Sequence, residues 1–143
     1  MLSERRLVAG DMVYVNQSAK HGAGVFASTG LPKGTIVHIA PVLLLKKDDL
    51  NVINETDVAG YVFTWDETRL AFAMGVGSLF NHSSDNNCFY EMWSIGDVDS
   101  VSNFCYPFNA FRFVTLRDVA CGDELTISYT SEDQPDLWFD EVN

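Results

Sequence analysis

The sequence predicts a mainly β fold with few helices, organised as one domain. Apolar residues fall in short runs of strand length, several of them rich in β-branched or aromatic side chains. Gly and Pro punctuate those runs, where a helical protein would show long stripes of 3.6-residue period. Length agrees: 143 residues at 47% hydrophobic are enough for one core and too few for two comfortable ones.

In chain order, strands are expected over residues 12–15, 24–27, 35–39, 42–45, 61–65 and 70–73, with LPKG at 31–34 as a turn. Residues 47–53 and 76–80 have the composition of short helices. Later strands are expected over 88–93, 108–115 and 125–129, and the polar SIGDVDSVSN at 94–103 reads as an extended hairpin loop. Beyond an acidic, Pro-containing turn, Trp138 and Phe139 give the tail of about residues 131–143 an apolar end that should fold back onto the body. No internal repeat, low-complexity tract or linker interrupts the chain, so residues 1–143 are expected to form a single domain.

Nine Lys+Arg against twenty Asp+Glu give a net charge of -11. That balance argues against phosphate-driven binding to nucleic acid and suits a basic protein or peptide partner, although acidic side chains also serve solubility alone. No apolar run approaches a membrane span, and the N-terminus lacks the apolar stretch of a secretory signal, so a soluble intracellular protein is expected. Cys88, Cys105 and Cys121 are odd in number and unpaired in spacing, which favours reduced thiols over a disulfide framework. His21, His38 and His82 add no metal-ligand spacing to them, so no metal is expected. A Cys/His nucleophilic site built on Cys88 and His82 has no local signature behind it.

Three segments carry chemistry. The first is HGAGVFA at 21–27, with Gly22, Ala23 and Gly24 ahead of a strand. Taken alone it is a tight turn; functionally, absent Cβ atoms let backbone approach a ligand. It is not a dinucleotide fingerprint, because the third Gly and the following helix are missing. The second is GSLFNHSSDNNC at 77–88, in which Asn81 and His82 suit either capping and core hydrogen bonding or a ligand site. The third is GDELTISY at 122–129, a Gly-led turn that opens into an alternating strand ending on Tyr129.

In order and rough spacing, these three segments resemble the SET domain of protein lysine methyltransferases. LRDVACGDELTISY at 116–129 is similar over its length to that family's R-D-I-x-x-G-E-E-L-T-x-x-Y, and Asn81-His82-Ser83 aligns with its Asn-His-Ser. The resemblance implies a β-clip-like arrangement of small sheets with short helices and a C-terminal pseudoknot. It also implies transfer of a methyl group from S-adenosylmethionine to a lysine ε-amine, on a histone tail by family habit, with nuclear localisation in a eukaryote and cytoplasmic otherwise.

By the same resemblance Tyr129 is catalytic and orients the amine. Gly22, Ala23, Gly24, Asn81, His82, Tyr129 and Trp138 contact the cofactor, Trp138 as an aromatic cover for its adenine. Tyr61, Phe80 and Phe139 stand among the aromatics that could wall the lysine channel, against a packing role for each. The chain departs from the pattern twice. Ser78 stands where an Arg is usual, removing a salt bridge made by that Arg elsewhere. Ser84 replaces the Cys of Asn-His-Ser-Cys, and no cysteine follows Cys121, so the tail should close the site by packing instead of zinc. A catalytically inactive SET-like peptide-binding module is the alternative these departures leave open.

Overall fold

The computed structural model describes residues 12–128, together with the backbone of Leu7 and Val8. Its strands are β1 (Leu7–Val8), β2 (Val13–Gln17), β3 (Ala23–Ala27), β4 (Ile36–Lys46), β5 (Val62–Thr64), β6 (Arg69–Ala73), β7 (Asn81–His82), β8 (Cys88–Trp93), β9 (Val98–Asp99), β10 (Phe104–Cys105), β11 (Ala110–Thr115) and β12 (Glu124–Ile127). They form one sheet in the order β1-β2-β3-β12-β7, a second in the order β5-β6-β4-β11-β8, and a β9-β10 hairpin. Among the described residues helix is confined to short pieces: 3-10 turns at Lys47–Asp49, Asp57–Tyr61 and Gly77–Leu79, and one α-turn, α1 (Leu50–Ile53). The mainly β expectation holds, and both expected short helices are present. The expected pseudoknot depends on chain beyond residue 128 and lies outside the described residues.

Three local expectations are corrected. The separate strands expected over 35–39 and 42–45 are one, β4, which runs through Pro41. Before Pro41 the strand pairs with β11, and after it with β6 on the other flank. Proline has no N–H to offer a ladder, and here it sits where the partner changes, its carbonyl accepting from Met74 N at 2.8 Å. Tyr61 ends a 3-10 turn instead of opening a strand. The loop expected at 94–103 contains β9, whose partner β10 follows directly. A tight turn joins them, with Asn103 at φ 63 donating its N–H to Asp99 O at 2.7 Å. Arg112 pins this hairpin to the sheet: its guanidinium contacts Glu91 at 2.7 Å and Asp99 at 2.8 Å while lying over the Trp93 ring.

The core is aromatic at its centre. Phe111 and Phe113 of β11 and Phe63 of β5 are buried, with Phe63 edge-on to Phe111 at 4.9 Å. Phe80, immediately before β7, stacks on Phe113 at 4.2 Å with nearly parallel rings, and Val25, Leu125 and Ile127 add the apolar face of the first sheet. The turn that delivers Phe80 is packed without slack. A Cβ on Gly77 would stand 2.6 Å from Ala40 Cβ and 2.9 Å from Ala73 Cβ. Gly77→Ala should therefore lower stability by about 1–3 kcal/mol through overpacking, seen as an earlier urea midpoint with unchanged slope.

Candidate functional site

Strand β12 draws the motifs together. It runs antiparallel to β3, with Leu125 opposite Val25, and parallel to β7, with Thr126 opposite Asn81 and Ile127 opposite His82. The turn ahead of β3 is closed by Ser18 N donating to Gly22 O at 2.7 Å, while Ser18 Oγ accepts from Lys20 N at 2.9 Å. Gly22 lies at φ +48, and space is open where its Cβ would be. Gly24 is different: it is buried, and a Cβ there would collide with Glu124 Oε2. The absent side chain is what lets the Glu124 carboxylate lie against the β3 backbone.

Asn81 ties the segments side by side. Its Nδ2 donates to His21 O at 3.0 Å, Ala23 O at 3.2 Å and Glu124 Oε2 at 2.9 Å. All three partners are acceptors, so the amide orientation is unambiguous, and two N–H protons are shared among three oxygens. Glu124 receives Ser18 Oγ at 2.8 and 2.9 Å on its two oxygens. His82 is buried beside Ile127, and Ser83 N continues the pairing by donating to Ile127 O at 2.9 Å. The structure thus brings Gly22, Ala23 and Gly24, at the start of β3, beside Asn81 and His82 of β7, the two strands that flank β12.

Two other expected residues, Tyr61 and Phe80, lie elsewhere. Tyr61 is partly exposed on the 3-10 turn before β5, in the second sheet. Phe80 is 1% exposed and stacked in the core, so packing is the role its surroundings supply. Tyr129, Trp138 and Phe139 lie outside the described residues. Cys88 is fully buried, and burial pushes its thiol up to about 12, leaving a protonated and inert group. That removes the nucleophilic Cys/His alternative.

Three contributors escaped sequence reasoning. Ser18 and Glu124 bond with the site directly. Asn87, nearly buried, acts as a surrogate strand along β12: its Nδ2 donates to Glu124 O at 2.8 Å and its Oδ1 accepts from Thr126 N at 2.9 Å. The only signal for two of them was membership of a motif, since Asn87 is the next-to-last residue of the second and Glu124 opens the strand of the third.

A titratable neighbour sits beneath the turn that leads to Asn81. His38 of β4 opposes Phe113 and lies against Gly75, whose Cβ would stand 3.0 Å from His38 Nε2. Burial lowers its pKa, opposed in part by a hydrogen bond to the Met74 backbone. A histidine held below its unfolded value binds fewer protons folded than unfolded. Its contribution to stability is present above about pH 6.5 and is lost as pH falls through the folded value. Wild type should lose stability below about pH 6.5 relative to His38→Gln, a difference that parallel urea titrations at several pH values would detect. Asn81→Asp, which aims a carboxylate at three acceptors, should destabilise by about 2–4 kcal/mol, measured by urea unfolding at neutral pH.

Comparison with known proteins identifies the family. The sequence profile of the SET domain family matches residues 22–130. A Schizosaccharomyces pombe histone-lysine N-methyltransferase specific for H3 lysine-37 is 29% identical over 128 residues, 89% of this chain and 76% of that protein. Among solved structures, that of a Plasmodium falciparum protein assigned as a histone methyltransferase superposes with TM-score 0.65 at 25% identity, covering 85% of this chain and 95% of the other. Since the matched profile takes in the second and third motifs, all of the first but His21, and most of the sequence, the chain belongs to the SET domain family.

Proposed function

We propose that this protein is a lysine N-methyltransferase that uses S-adenosylmethionine and acts on a basic substrate, a histone tail. The observation that carries the reading is the assembly of Gly22 to Gly24, Asn81 and His82 around β12, the strand whose sequence runs on to Tyr129 two residues after Ile127. The residues fit such a cofactor. The turn at Gly22 is open, Gly24 has no side chain, and the surrounding groups are hydrogen-bond acceptors, which suit a ligand that is cationic and rich in N–H donors. Gly22, Ala23, Gly24, Asn81 and His82 would hold the cofactor, with Trp138 over its adenine and Tyr129 beside the reacting centre.

S-adenosylmethionine, when bound, supplies a methyl group on a sulfonium, already a strong electrophile. What remains for the chain is binding, orientation and delivery of an uncharged amine. Deprotonating a lysine near neutral pH costs on the order of 4 kcal/mol, from a reference value of about 10.4. An apolar, aromatic-lined channel offsets that by disfavouring ammonium, so no dedicated base is required. Tyr129 then orients the amine. With 20 acidic against 9 basic residues, the protein's field favours approach of a basic tail and opposes nucleic acid, and a histone substrate would place the enzyme in a nucleus.

The test is incubation of wild type and Tyr129→Phe with S-adenosylmethionine and a histone mixture, followed by mass spectrometry of lysine methylation. Wild type should mark defined lysines and release S-adenosylhomocysteine, and the variant should fall by at least ~100-fold in kcat/KM. Cofactor binding without conversion on any histone would instead favour a silent binding module, the reading prompted by Ser78 in place of the usual Arg.

A further inference from the structure

Glu124 has no role in the reading above, yet its carboxylate occupies the point where the site segments meet. Each oxygen is engaged by a neutral donor: Ser18 Oγ reaches both, at 2.8 and 2.9 Å, and Asn81 Nδ2 reaches Oε2 at 2.9 Å. Among the described residues no Lys, Arg or His stands within ion-pair distance of it. The carboxylate fits there because Gly24 has no side chain: a Cβ at that position would collide with Glu124 Oε2.

We propose that Glu124 is a positioning residue for the cofactor face, acting through Asn81, and that Ser18 anchors it there. This rests on the cofactor reading given above. Asn81 holds the carbonyls of His21 and Ala23 with its Nδ2, so the same amide group spans the turn ahead of β3 and the carboxylate on β12. With Nδ2 committed, the Asn81 side chain can offer a ligand only Oδ1, an acceptor. Ser18 makes the arrangement reciprocal, since its hydroxyl donates to Glu124 while accepting from Lys20 N in the turn that carries Gly22. One carboxylate thereby fixes the spacing of β7, the 18–22 turn and the backbone at Gly24. The chain has Ser78 where the family pattern carries an Arg, and this tie is made from neutral hydrogen-bond donors.

The experiment compares wild type, Glu124→Ala, Glu124→Gln and Ser18→Ala. Equilibrium affinity for S-adenosylhomocysteine is measured by calorimetry, kcat and both KM values with a methyl-accepting histone peptide, and the Asn81 side-chain amide by NMR without ligand. Glu124→Ala should weaken S-adenosylhomocysteine and raise the KM for S-adenosylmethionine by ~10-fold or more, with kcat and peptide KM within ~2-fold. Glu124→Gln can accept from Asn81 through its carbonyl and donate to Ser18, so it should recover affinity to within ~3-fold of wild type. In ligand-free Glu124→Ala the Asn81 amide resonances should shift and exchange faster with solvent.

A folded Glu124→Ala with wild-type affinity, or with unmoved Asn81 resonances, overturns the proposal. So does a proportional loss in kcat, peptide KM and cofactor affinity that Glu124→Gln does not relieve, since that describes a general structural role. Should Glu124→Ala not fold, Ser18→Ala decides: weaker S-adenosylhomocysteine binding by ~3-fold supports the anchor, and unchanged binding overturns it. Wild-type protein that binds no S-adenosylhomocysteine overturns the cofactor reading and this inference together.

Discussion

Everything at the site depends on a four-residue strand inserted between two partners. β12 offers one edge to β3 in antiparallel register and the other to the short β7 in parallel register. Two paired residues make a weak ladder, and parallel pairing is the less stable kind per residue. The Asn87 side chain lengthens it, supplying an acceptor to Thr126 N and a donor to Glu124 O as a neighbouring strand would. Burial of Leu125 and Ile127 against the core holds the same strand from its apolar face. A strand satisfied on both edges and one face has little freedom to slip, and slippage by one residue would turn Glu124 and Thr126 toward the core.

The chemistry of the place where β3, β12 and β7 meet follows from its polarity. Backbone carbonyls at His21 and Ala23, the Glu124 carboxylate and the Asn81 amide oxygen make it rich in acceptors, and the donors present are largely consumed in tying segments together. Such a polarity suits positive charge and N–H groups. The acidity of the whole chain acts in the same direction at longer range, favouring encounter with a basic substrate and weakening with salt. The second sheet serves as a foundation: stacking of Phe80 on Phe113 fixes the residue immediately before Asn81, and the turn delivering it is wedged at Gly77 against Ala40 and Ala73.

Much of the fold was legible because its strands are short and punctuated. β2, β3, β6, β8 and β11 fall close to the runs read from composition. The failures share one cause. Pro41 reads as a strand break by propensity, and only the change of partner from β11 to β6 makes its missing N–H harmless. The β9-β10 hairpin over residues 98–105 is invisible to local pattern because Asp99 and Arg112, thirteen positions apart, hold it in place. Phe80 is one of many aromatics in a list until its 4.2 Å stack shows it belongs to the packing.

By itself, the sequence determined the β-rich class, the acidic character, and three motifs whose order and residue types point to one family. Those are properties of neighbours in the chain, where turn glycines, alternation and motif spacing are written directly. Only the tertiary structure decided that Ser18, Glu124 and Asn87 belong with Gly24 and Asn81. Their meaning is a hydrogen bond between residues tens of positions apart, and a serine, a glutamate or an asparagine reads the same in isolation whether it is solvated or is the tie that closes a site. Donor and acceptor geometry exists only once the strands are paired, and for that reason β12 had to be placed before its residues could be assigned a role.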